Sequence, residues 1–118
     1  MNSVRKKQIE GAIKRALGAA LLNSPQQPEL AKISITAVEV NADVSLARVY
    51  FCPLVTSTRE AAEEALTAGH KFLRSYLAKH LNLRSTPELS FRFDESLERA
   101  RKITDLIDTA LKTTVVEG

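Results

Sequence analysis

Catalysis needs reactive groups that converge, and this chain offers few. His70 and His80 stand ten residues apart, and Cys52 is the only thiol among 118 residues. No third nitrogen or sulfur ligand has the spacing of a zinc site. A single thiol makes an intrachain disulfide impossible and fits a reducing compartment. Cys52 lies between Phe51 and Pro53 at the end of an apolar run, which reads as a small buried hydrophobe rather than a nucleophile. Gly11, Gly18, Gly69 and Gly118 are the only glycines, and they form neither a Walker loop nor a dinucleotide fingerprint. No Gly-x-Ser-x-Gly elbow is present. Asp105 with Asp108, and Glu60 with Glu63 or Glu64, share helical faces but read as solvated surface. The expectation is a protein that binds without making or breaking bonds, and that needs no metal or cofactor.

The chemistry that remains is charge. The net charge of +3, from 17 basic and 14 acidic residues, is small, but its distribution is uneven. Residues 1–23 carry Arg5, Lys6, Lys7, Lys14 and Arg15 against Glu10 alone. Residues 68–84 carry Lys71, Arg74, Lys79 and Arg84 with no acid. Two segregated cationic segments suit a polyanionic partner, although solvated helix faces produce the same pattern.

The elements that must hold these cations follow from periodicity. Ile9, Ile13, Ala16, Leu17, Ala20 and Leu21 recur at helical spacing and predict a helix over residues 3–23, ended by Asn23-Ser24-Pro25 and Pro28. Ile33 and Ile35 alternate with polar residues, and then the phase flips to Val38 and Val40. That pattern predicts a strand over 33–41 with a bulge near Thr36-Ala37. Asn41-Ala42-Asp43 reads as a short hairpin turn. A second strand over 44–52 places Ala47, Val49 and Phe51 on one face, and Leu46, Arg48 and Tyr50 on the other.

Ser57-Thr58-Arg59-Glu60 reads as a capping box, with Ser57 as N-cap and Glu60 at the third position. A long helical pattern follows, interrupted by Gly69. Glycine there costs a helix about 1 kcal/mol relative to alanine, which argues for a bend or for two helices meeting. Thr86-Pro87 stops the pattern, and Leu89, Phe91 and Phe93 alternate into a third strand, with Arg92 sharing the open face with Arg48. Phe72, Phe91 and Phe93 read as core. Asp94-Glu95-Ser96 starts a last helix with Leu97, Ala100, Ile103, Ile107, Ala110 and Leu111 inward.

The order is αββααβα. A hairpin and a helical crossover make the third strand parallel to the second, by a right-handed connection. The expected class is α+β, a three-stranded mixed sheet with helices on one face and a kinked helix pair. Residues 1–118 read as one domain with its core over about 3–113. No apolar run reaches membrane-spanning length. A basic, amphipathic segment at 3–22 would also suit a mitochondrial transit peptide, but Glu10 and the short chain favour a first helix.

This order, with glycine at a helix–helix junction, resembles a K-homology domain of the second type. Such domains clamp roughly four nucleotides at a Gly-x-x-Gly loop between two helices. The stretches Ile35-Thr36-Ala37-Val38-Glu39-Val40, Leu46-Ala47-Arg48-Val49-Tyr50-Phe51, Phe72-Leu73-Arg74-Ser75-Tyr76-Leu77 with Leu83-Arg84, Pro87-Glu88-Leu89-Ser90-Phe91 and Asp94-Glu95-Ser96-Leu97 together resemble the ribosome-binding factor A family. Where that family has Ala-x-Gly before the Phe-Leu-Arg-Ser stretch, this chain has Gly69-His70-Lys71.

The resemblance implies a type II K-homology-like fold and a cytoplasmic, monomeric factor that acts late in small-subunit assembly. The implied partners are the 30S subunit and its precursors, 16S rRNA near the decoding region, and a GTPase assembly factor linked to release. The implied roles are help with 5′-end processing of 16S rRNA and support of growth in the cold. On this reading Gly69 sets the backbone turn, and His70 stacks on or donates to RNA. Lys71 and Arg74 reach phosphates, with Arg74 bidentate, and Lys79 and Arg84 extend the strip. Arg5, Lys6, Lys7, Lys14, Arg15 and Arg48 provide further contacts.

Overall fold

A computed structural model of the chain describes residues 3–96. Helix α1 spans Ser3–Leu22, and a 3-10 helix spans Pro28–Lys32. Strand β1 (Ile33–Val40) and strand β2 (Leu46–Pro53) precede α2 (Arg59–Ala68) and α3 (His70–His80), and β3 (Glu88–Phe93) follows. The sheet order is β1-β2-β3, with β1 antiparallel and β3 parallel to the central β2. The expected mixed sheet and split helix pair are therefore present. The expected last helix lies outside the described residues from Leu97 onward.

Alternation in β2 explains why the helices gather on one face. Ala47, Val49 and Phe51 are buried, and Leu89 beside Ala47 extends that face into β3. Ile13, Leu17, Ala20 and Leu21 of α1, Ala62, Ala65 and Leu66 of α2, and Leu73 and Leu77 of α3 close over it. Each large side chain removed from water in this way contributes about 1.5–3 kcal/mol. The β1 register shifts between Ile35 and Ala37. The extra residue, Thr36, bonds the carbonyl of Tyr50 at 3.3 Å and the Asp94 carboxylate at 2.6 Å. The bulge brings Ile35 and Val38, on either side of it, to the same face. Glu10 ties α1 to the sheet by accepting the Val40 N–H at 2.9 Å.

Three expectations need correction. The cap of α2 is Thr58, whose hydroxyl accepts the Ala61 N–H. Ser57 instead donates to Glu29 at 3.3 Å, so no Ser57–Glu60 capping box forms. The β1–β2 turn is longer than expected: Asn41 Oδ1 accepts the Leu46 N–H, and Asp43 accepts both the N–H and the hydroxyl of Ser45. These side-chain bonds delay β2 to Leu46 and place Val44 at a φ of 58°. Finally, Phe72 is only half-buried, packed edge-on to Tyr76 rather than in the core, and Phe91 and Phe93 are half-buried at the core's margin.

Candidate nucleic-acid interface

Gly69 separates α2 from α3 with φ −92° and ψ 5°. That conformation is open to other residues, so backbone freedom is not what requires glycine here. Space is. A Cβ on Gly69 would lie 2.9 Å from Leu30 Cδ1 and 3.2 Å from the Ala65 carbonyl oxygen, and Leu30 is fully buried. Gly69 therefore faces the 3-10 helix and not solvent. It shapes the junction from inside.

The residues after Gly69 point elsewhere. His70 is half-buried, with Nε2 3.3 Å from the Leu89 carbonyl and its ring edge-on to Phe91 at 6.2 Å. Lys71 is exposed within α3. Two concavities meet at these two residues. One, of about 1090 Å³, runs between the helix pair and β3 over Leu89, Phe91 and Phe93. The other, of about 580 Å³, lies between α3 and the Ser85-Thr86 segment and includes Arg74.

Arg74 has partners within the fold that its sequence position does not suggest. Its Nε donates to the Pro87 carbonyl at 3.3 Å, and its Nη2 to the Thr86 carbonyl at 3.1 Å. Its Nη1 lies 3.3 Å from Glu88 Oε1. Two hydrogen bonds and one ion pair thus draw on the guanidinium, so the side chain pins the α3–β3 connection and a phosphate would have to share it. Lys79 and Arg84 are exposed. Lys79 also lies in the last turn of α3, where a cation complements the helix dipole.

The other expected contacts are spread over further surfaces. Lys7, Lys14 and Arg15 are exposed along α1, Lys6 is half-buried, and Arg5 is exposed. Arg5 also has an interaction partner of its own. Arg48 is exposed on the open sheet face, opposite Glu39 on β1 and Ser90 on β3. The structure thus brings together His70 and Lys71, with Arg74 beside them as a brace, and leaves the α1 cations and Arg48 apart from them.

Sequence reasoning missed Arg59, because the ring it stands over, Phe93, is remote in sequence. Its guanidinium stands 4.4 Å from the Phe93 ring centroid and bonds Glu63 Oε1 at 2.7 Å. The Glu63 hydrogen bond raises its pKa further above the usual arginine value. With Arg92 it lines the far end of the larger groove. Cations above half-exposed aromatic rings can hold a single-stranded nucleic acid by charge and by stacking. Among the described residues no group of His, Cys, Asp and Glu is arranged to hold a metal. No described helix is long and apolar enough to cross a membrane.

An αββααβ order with a parallel β2–β3 pair and a bent helix pair defines an α+β domain of the type II K-homology-like class. Comparison with known proteins narrows this. The family model for ribosome-binding factor A matches residues 5–107. Ribosome-binding factor A of Chromobacterium violaceum is 38% identical over 104 residues, covering 88% of this chain and 75% of that relative. Its Coxiella burnetii counterpart is 36% identical over 110 residues, covering 93% of this chain and 92% of the relative. The crystal structure of the Thermus thermophilus factor superposes with a TM-score of 0.66 at 28% identity, covering 75% of this chain and 93% of that one. A Thermus thermophilus homology model fitted into a cryo-EM map of a 30S–factor complex gives 0.62 at 27% identity, covering 75% and 93%. The chain belongs to the ribosome-binding factor A family.

Proposed function

We propose that this protein binds the small ribosomal subunit and its precursors through 16S rRNA, and that it assists late maturation of the subunit, including processing of the rRNA 5′ end. The observation that carries the reading is Lys71, an exposed cation at the meeting point of the two concavities beside the α2–α3 bend. Lys79 and Arg84 extend positive charge along an acid-free stretch. Family membership and the 30S complex of a Thermus thermophilus relative support the choice of partner.

The protein works by selection between RNA arrangements. Junctions in rRNA have competing pairings that interconvert slowly in the cold. A protein that binds one arrangement more tightly shifts the population towards it, by no more than its differential affinity. A bound GTPase completes the cycle by release, and the setting is cytoplasmic. One domain over residues 1–118 suffices for this.

Crosslinking to purified precursor subunits, with adducts mapped on both components, tests the reading. Adducts between 16S rRNA and the Lys71–Arg84 stretch are expected. Adducts confined to ribosomal proteins would overturn it.

A further inference from the structure

On the opposite side of the sheet from β3, β1 is an edge strand. Its outward residues follow from the ladder. The Lys32 carbonyl accepts the Leu54 N–H, so Lys32 and Ser34 face β2 while Ile33 and Ile35 face away. The Ile33 N–H is taken by the Leu30 carbonyl, and at the far end Glu10 takes the Val40 N–H. Ile35 keeps an outward N–H and C=O, and Ile33 an outward C=O, with no hydrogen-bond partner among the described residues.

A groove of about 600 Å³ lies between this edge and α1. Ile33, Ile35 and Leu54 form one wall, and Gly11, Gly18 and Leu22 the other. Leu22 and Leu54 are 72% and 41% exposed. A Cβ on Gly18 would meet nothing within 4 Å, so the fold has no packing need for glycine there, although glycine weakens a helix. Lys14 and Arg15 rim the same groove.

We propose that this groove takes an extended, acidic peptide segment of a protein partner, added to the sheet as a strand antiparallel or parallel to β1. The free groups of Ile33 and Ile35 supply main-chain bonds, alternate side chains enter the apolar groove, and carboxylates meet Lys14 and Arg15. A second copy of the chain fits less well, because a two-fold pairing of β1 edges would bring each Lys14 and Arg15 towards its own equivalent. A nucleic acid would use the cations but neither the apolar walls nor the strand edge.

The probe is a synthetic heptapeptide of alternating valine and threonine with glutamate at both ends, titrated to about 1 mM into the isotopically labelled full chain. Amide shifts confined to Gly11–Leu22 and Ile33–Ile35 are expected. So is exchange of the Ile35 amide slowed by on the order of 10-fold, with both effects weakened by salt. Gly18→Leu fills the groove and is expected to abolish the shifts while leaving circular dichroism native and the thermal midpoint unchanged or higher. A peptide in which glutamine replaces glutamate is expected to bind more weakly. No shifts at the highest peptide concentration, or shifts indifferent to Gly18→Leu, overturn the proposal. The same shifts from oligouridine, or from raising the protein concentration alone, reassign the groove to nucleic acid or to self-association and overturn it equally.

Discussion

Gly69 and Leu30 pack so closely that the smallest added side chain at position 69 would stand 2.9 Å from Leu30 Cδ1. The bend between α2 and α3 is thus built against a fully buried leucine of the 3-10 helix. That contact makes the glycine a core residue, although it sits beside the cations expected to meet RNA.

Gly69→Ala tests this contact. The backbone angles suit alanine, which by itself favours the variant by about 0.4–1 kcal/mol. Overpacking against Leu30 costs about 1–3 kcal/mol, so the net expectation is destabilisation, read from urea unfolding. Leu30→Ala alone opens a cavity and destabilises. Combined with Gly69→Ala it is expected to cost less than the sum of the two, by about 0.5 kcal/mol or more. Strict additivity would show that the two residues do not press on each other.

Arg74→Ala is expected to loosen the connection between α3 and β3, because the carbonyls of Thr86 and Pro87 and the Glu88 carboxylate lose their donor. Hydrogen exchange should quicken through Leu81–Leu89, and stability should fall by about 1–3 kcal/mol. Arg74→Lys is expected to rescue little, since one ammonium does not reproduce the fork. Local protection unchanged in Arg74→Ala would return the side chain to the candidate phosphate ligands.

The groups that are exposed and unbraced give a different signature. Replacing Lys71, Lys79 and Arg84 together by glutamine is expected to leave unfolding nearly unchanged. It should lower the log–log salt slope of RNA binding by about 2–3 units, close to one per lost phosphate contact. An unchanged slope would remove this strip from the contact surface.

Two exposed carboxylates contribute to an acid limb. The Lys32 hydrogen bond holds Glu29 below its ordinary value of 4.5, and the Ser45 hydroxyl holds Asp43 below 3.8. Their folded-state values are depressed, so the stability they contribute is present above the ordinary values and is lost as pH falls through the lowered ones. Glu29→Gln with Asp43→Asn is expected to flatten the stability–pH curve below about pH 5 and leave its shape near neutrality alone. Urea midpoints across that range provide the check.

Much of the architecture was legible because it rests on local period. Alternation placed Ala47, Val49 and Phe51 inward, and the phase flip after Thr36 marked the bulge. Elements set by remote partners or by individual side-chain bonds were not legible. The 3-10 helix at Pro28–Lys32 has no apolar period, and its Leu30 is buried against Gly69, where a Cβ would crowd it. The β1–β2 turn is fixed by side-chain bonds from Asn41 and Asp43, which composition does not foretell. In the candidate site the acid-free stretch was visible as charge. Which cations are braced and which are exposed was not, since Arg74 is engaged by carbonyls twelve and thirteen residues away.

The affinity of the purified chain for precursor and mature small subunits, measured from low to high salt, is the decisive measurement. The expectation is binding to both at low salt, tighter binding to precursors, and a steep decline with salt that the Lys71, Lys79 and Arg84 variant makes shallower. Equal affinity for precursor and mature subunits, or no binding to either at low salt, would contradict it.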